Sequence, residues 1–299
     1  MGDGVSHNHR EDDAVQTSIR NLFVGCVPEK GTELLELWRS LSPTFQLLQD
    51  THHGERFVMD AGAYKFVRFN HRAVRAFWLA GYIAWEGYRV VAENPAVTSE
   101  SLDRFKTMLR AFDDVISSDQ SDEVALPTGV AEPGQFPDKD HDPQGRAAAE
   151  LATIAVGWAL LHEVRHIQHQ QAGSGADPYD ADPTKRRQEE FDCDQYATRF
   201  LLDRIDDYAR AKNLDPAQVA QKRHLGICFA LFTLTLLAKD KWEASNTHPP
   251  VQDRIEAVLR DLAPRRSEIA DAIAHTSFAV LRAVWPSAPG AFIQERRSE

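Results

Sequence analysis

Cysteine is scarce in this 299-residue chain, and the three present, Cys26, Cys193 and Cys228, are odd in number and far apart. That spacing excludes a disulfide framework and a CxxC zinc knuckle, and it favours a reducing compartment. Basic charge is also short: 34 Lys and Arg stand against 45 Asp and Glu, a net −11. No segment carries the clustered Lys/Arg stripe that phosphate neutralisation needs, so nucleic acid is excluded as a partner. Apolar runs are limited too. The longest, Leu225–Ala238, is shorter than the ~20 residues needed to cross a bilayer and reads as a buried core helix, so no stable membrane insertion is expected. The first twenty residues are polar and acidic and lack the apolar stretch of a secretory signal. A Gly-rich dinucleotide loop, a P-loop and a GxSxG nucleophile elbow are all missing. The expectation is a cytoplasmic chain, 42% hydrophobic and so able to bury a core.

The pattern along the chain predicts an α+β fold that is mostly helical, with a small sheet in the N-terminal part and a helical C-terminal part. Residues 1–18 read as disordered. Leu34, Leu35, Leu37, Trp38 and Leu41 recur on one side of a helix over 31–49. The β-branched and aromatic residues of 56–70, around Gly62, predict a short strand pair. Helices follow at 71–93 and 101–117. The acidic, Pro/Gly-punctuated stretch after Ser118 is long for a loop and reads as functional, with 119–145 the candidate for a substrate-facing flap. An N-terminal part at 19–145 thus precedes a catalytic part at 146–286 and a tail at 287–299. In the second part helices are predicted at 146–171, 187–212, 216–239, 250–262 and 266–284, with the turn-rich stretch 173–185 after the first.

The chemistry concentrates in Ala159–His169, ALLHEVRHIQH, which contains HExxH as His162, Glu163 and His166. On a helix, positions i and i+4 share a face, so both imidazoles reach one metal ion. Glu163, one position on, stands beside that ion, where a carboxylate can take a proton from water. Chance alone gives about 0.03 such motifs per chain, so the motif points without deciding. A hydrolytic site needs a third ligand and an open position. Glu190 and Asp194 lie at i and i+4 in QEEFDCDQYATRFLLD, with Ala197 and Leu201 continuing that face. Glu190 is read as the third metal ligand and Asp194 as the carboxylate that accepts the free N–H of a ligating imidazole. Glu189 is the rival ligand; its i+4 neighbour is Cys193, which would leave the histidine unsupported. His169 extends the same face as a minor ligand candidate. Cys193 is flanked by Asp192 and Asp194, which raise a thiol pKa and argue against a nucleophile.

HExxH followed by a separate ExxxD helix resembles the pattern of the gluzincin metallopeptidases. A third element, Thr247-His248-Pro249 with Arg254-Ile255 after it, resembles the Ser/Thr-His-Pro…Arg-Ile stretch of the M48-type peptidases. In length and order of motifs the chain is most similar to the phage-exclusion peptidases of the Lit type, family U49, over about residues 147–262. The resemblance implies a zincin-like fold and zinc-dependent cleavage of an intracellular protein during phage infection. On that reading the substrate is a protein or peptide, zinc (Zn2+) sits on His162, His166 and Glu190, and Glu163 is the general base. Arg254 is expected to point at the site carboxylates, and His248 to donate to the oxyanion formed when water attacks. Two alternatives stay open: an ImmA/IrrE-like regulatory peptidase and a non-catalytic, zinc-stabilised binding or sensor protein.

Overall fold

Helix capping and apolar content make one helix, Pro143–Ala172, the axis of the molecule. Asp142 accepts the Gly145 N–H at 2.8 Å and Pro143 occupies the first turn, where its missing N–H costs nothing. Gly173 ends the helix in the left-handed conformation (φ 67°). Between these caps Leu151, Ile154, Val156, Trp158, Leu160 and Leu161 point in several directions, and all are buried. A helix apolar on nearly every side has to be enclosed by others.

The computed structural model describes residues 13–41, 44–48, 57–61, 66–94, 96–177, 182–239 and 241–290. In chain order the elements are α1 (Asp13–Cys26), α2 (Gly31–Leu41), β1 (Thr44–Leu48), β2 (Met59–Ala61), β3 (Phe66–Asn70), α3 (His71–Ala92), α4 (Asp103–Ser117), α5 (Pro143–Ala172), α6 (Thr184–Leu202), α7 (Ile205–Lys212), α8 (Pro216–Leu237), α9 (Val251–Leu262) and α10 (Glu268–Val284). The fold is α+β and mostly helical. Helices α1, α3, α6 and α8 pack around α5, and α10 closes against α3 and α8. The sheet has the order β1-β3-β2: β1 runs parallel to β3, and β2 runs antiparallel to it with Met59 opposite Phe69. Among the described residues strand β2 is therefore an edge, and it packs against α5.

Several boundaries differ from the sequence reading for identifiable reasons. The helix read over 31–49 ends at Leu41, and Thr44–Leu48 is a strand. Pro43 cannot donate to a continuing helical ladder, which separates the two. Helix 187–212 is two helices, broken after Leu202 where Arg204 takes a left-handed backbone (φ 55°). Helix α1 starts at Asp13, inside the stretch read as disordered, while residues 1–12, Gly62 and 291–299 lie outside the described residues. The 119–145 segment does not face the site cavity described below. It lies along α3, where Trp78 donates to the Ala131 carbonyl at 2.7 Å, Arg75 pairs with Glu132 at 3.1 Å and Phe136 meets the Trp78 ring edge-on. Among the described residues α5 alone is long and apolar enough to cross a membrane, and 78% of its most apolar window is buried inside the protein.

Close approach of α3 to α5 depends on Gly81, where a Cβ would come within 2.7 Å of the Ala152 Cβ and 3.0 Å of its Cα. Backbone cannot yield as a flexible side chain can. Gly81→Ala is therefore expected to cost about 1–3 kcal/mol, read as a lowered Tm. Gly25→Ala, whose Cβ would meet nothing within 4 Å, should be neutral or slightly stabilising because alanine is the better helix former.

Candidate metal centre

The last turns of α5 present Trp158, Ala159, His162, Glu163 and His166 to a cavity of about 430 Å³. Its other walls come from Met59, Asp60 and Ala61 of β2, from Leu234 and Leu237 of α8, and from Glu189 and Glu190 of α6. Trp158 fixes α6 against α5 by donating its indole N–H to Thr198 Oγ1 at 3.0 Å. Ala197, fully buried on the facing side of α6, lets the two helices approach.

Each histidine is held from behind by its own carboxylate. His162 Nδ1 lies 2.9 Å from Asp194 Oδ1, and His166 Nδ1 lies 2.7 Å from Glu189 Oε1. Carboxylate partners at Nδ1 set that nitrogen as the donor and leave the Nε2 lone pairs pointing inward. The two Nε2 atoms face each other at 3.2 Å. Glu190 completes a triangle, with Oε1 at 3.3 Å from His166 Nε2 and Oε2 at 3.4 Å from His162 Nε2. Oε2 is buried and accepts no hydrogen bond. A thiol lies close as well: a ring nitrogen of His162, one of His166 and the Cys193 sulfur are all within 4.8 Å of one another. These are groups that could hold a metal ion.

Arg254, in the first turn of α9, closes the back of the centre. Its Nε donates to Asp194 Oδ2 at 2.7 Å and its Nη2 to Oδ1 at 2.6 Å, while Nη1 stands 3.3 Å from Glu190 Oε2. The chain reaches α9 through Val251 N–H, which donates to the Trp242 carbonyl at 2.9 Å. His248, just before, is 57% exposed in its side chain, with Nε2 3.7 Å from Glu190 Oε1 and Nδ1 2.8 Å from Thr247 Oγ1.

Charge shifts follow from this crowding. Burial raises the Asp194 pKa, but the Arg254 charge and its bonds to His162 and Arg254 outweigh that and leave it low. Burial likewise raises Glu190, and the two neighbouring histidines with the Arg254 charge take it well below the usual carboxylate range. Burial lowers the His162 imidazole, yet Asp194 and Glu190 bring it up to about 8, and His166 is raised by Cys193, Glu189 and Glu190. Glu163 is different: burial pushes its carboxyl up against the pull of the two histidines. Burial also pushes the Cys193 thiol up to about 12 against the pull of His166, a different cause from the flanking aspartates invoked on sequence grounds.

The structure thus brings His162, Glu163, His166, Glu190, His248 and Arg254 to one cavity, with Asp194 behind it on His162 and Arg254. His169 turns away and bonds Asp192 at 2.7 Å and Ser174 at 3.0 Å. His52 and His53 lie outside the described residues. Two roles escaped sequence reasoning. Glu189 was weighed only as a ligand, although it bonds His166 from behind and accepts the Ala176 N–H at 2.5 Å. Cys193 was weighed only as a nucleophile. Its spacing from Glu190, i and i+3 on one helix face, was the available signal.

The peptidase U49 family profile matches residues 67–275. The chain belongs to the peptidase U49 family. The cell death peptidase of Escherichia coli K12 is 27% identical over 131 residues, which cover 43% of this chain and 38% of that protein. The match thus spans well under half of the relative's length. No solved structure matches. All the centre's residues from His162 to Arg254 fall within the family match.

The Asp194–Arg254 pair gives a stability test. Both side chains are nearly inaccessible, so Arg254→Met strands a buried carboxylate and should cost about 3–5 kcal/mol in urea unfolding. Arg254→Lys should recover only part, because an ammonium lacks the planar fork that bonds both oxygens. A Met variant as stable as the parent would mean that Asp194 is not held as a charge.

Proposed function

We propose that this chain is a zinc-dependent endopeptidase of gluzincin type that cleaves an intracellular protein. The observation that carries the reading is the inward triangle of His162 Nε2, His166 Nε2 and a Glu190 carboxylate, with edges of 3.2–3.4 Å. Ligands at 2.0–2.1 Å in tetrahedral directions around zinc are separated by about 3.3–3.4 Å. Lone pairs that face each other without a proton between them repel, and Glu190 Oε2, beside the Arg254 charge but accepting no hydrogen bond, is left only partly satisfied. A divalent cation relieves both. Two imidazoles and one carboxylate with an open fourth position form a hydrolytic donor set, and zinc suits it best. When bound, that ion supplies Lewis acidity, polarising a carbonyl and making water a stronger acid.

The remaining steps belong to the chain's own residues. Glu163 stands in the cavity with its pKa raised by burial. A carboxylate tuned upward accepts a proton from the attacking water and passes it to the leaving amine. His248, at the exposed rim, donates from Nε2 to the developing oxyanion while Thr247 holds its other nitrogen. Asp194 and Glu189 fix the two ligating rings, and Arg254 locks Asp194 in place. With 119–145 turned to α3, the edge strand β2 is the element beside the cavity that can take an extended peptide by strand addition. The resemblance to phage-exclusion peptidases and the name of the Escherichia coli relative support a setting in phage-triggered cell death.

Two measurements test this. The purified chain should carry about one zinc, lost in His162→Ala and His166→Ala and weakened more by Glu190→Ala than by Glu189→Ala. Full metal retention in Glu190→Ala would move the third ligand elsewhere. Glu163→Gln should keep its metal while peptide hydrolysis falls by about 10²-fold or more; undiminished turnover would end the peptidase mechanism.

A further inference from the structure

Cys193 has no part in the mechanism above, yet it does not behave as the other two cysteines do. Cys26 is buried in the core with its thiol donating to the Phe23 carbonyl, and Cys228 is sealed inside α8. Buried thiols of that kind are small apolar side chains. Cys193 is equally buried but lies on the ligand face of α6, its sulfur within 4.8 Å of ring nitrogens of both His162 and His166. It follows Glu190 by three positions, so one helix face offers a hard oxygen and a soft sulfur to the same pair of imidazoles. The carboxylate also has somewhere to go. Arg254 Nη1 stands 3.3 Å from Glu190 Oε2, so Glu190 stays charge-paired without a metal.

We propose that Cys193 is a metal ligand that competes with Glu190 for the third position on the ion held by His162 and His166. The inference rests on the zinc reading above. In the exchange a sulfur–metal bond forms, the thiol proton leaves to solvent, and the Glu190 oxygen–metal bond breaks; nothing is oxidised or reduced. Thiophilic ions favour the His162–His166–Cys193 set, and the Glu190 set is the hydrolytic one. The chain therefore carries two ligand sets for one ion, and its metal preference is broader than that of a site with a carboxylate alone.

The test loads the full-length protein with cobalt(II) and records its near-ultraviolet absorption. A thiolate-to-cobalt charge-transfer band is expected in the wild type, stronger in Glu190→Gln and gone in Cys193→Ala. X-ray absorption at the zinc edge, which needs no variant to fold, should show a sulfur scatterer at about 2.3 Å at partial occupancy in the zinc-loaded wild type, sharing the third position with the Glu190 oxygen. Since all three cysteines are buried, surface thiols do not contribute. Cobalt bound without the band in both wild type and Glu190→Gln, with zinc ringed by nitrogen and oxygen only, would overturn the ligand role of Cys193 and leave the zinc reading standing. Failure of the wild type to bind either ion would overturn both.

Discussion

The bidentate contact between Arg254 and Asp194 is the constraint on which the centre depends. Asp194 is 1% exposed and serves two partners, the guanidinium on one side and the His162 imidazole on the other. A carboxylate so enclosed is tolerable only while it is paired, because the interior offers no water to solvate it. Pairing in turn fixes the His162 ring and joins α5, α6 and α9 through three side chains. Around it the charge remains unbalanced. Asp60, Glu163, Glu189, Glu190 and Asp194 stand against two permanent cations, Arg186 and Arg254. Protons on the histidines or a divalent ion between them can make up the difference. The raised pKa values of both imidazoles are the protonic form of that demand, and a metal answers it with two charges at one point.

Helix packing supplies the distances. Small residues sit wherever α5 meets its neighbours closely: Gly81 of α3 against Ala152, Gly226 of α8 against Ile154, and Ala197 on the face of α6. These contacts let a 30-residue helix run through the middle of the fold with its final turns opening on the cavity. Two polar contacts set register on that apolar frame, the Trp158–Thr198 bond between α5 and α6 and the Val251–Trp242 bond that aims α9. The apolar contacts hold the helices near each other, and the polar ones decide which residues face.

Sequence reasoning reached the centre well because its residues follow helical periodicity. His162 with His166, and Glu190 with Asp194, are i,i+4 pairs, a spacing that survives any error in helix boundaries. What it missed depends on tertiary geometry. Nothing in the spacing of Glu189 tells that its carboxylate reaches across to His166, since that contact depends on the rotation of α6 against α5. The 119–145 segment looked like a flap because it is long and irregular, but its backbone carbonyls are collected by Arg75 and Trp78 of α3, far along the sequence. A strand at Thr44–Leu48 hid inside an apolar helical pattern because five residues carry too little periodicity to separate the two.

The two histidines, equivalent in the motif, are not equivalent in the structure. His162 is 6% exposed and backed by Asp194, which the α9 arginine immobilises. His166 is less buried, and its carboxylate partner Glu189 is tied instead to the backbone of Ala176, in the connection between α5 and α6 that also lines the cavity. Both oxygens of Glu189 accept, one from the ring and one from a main-chain N–H, so a glutamine there would set an amide N–H against a donor. One histidine is thereby anchored to the core and the other to the connection at the cavity wall.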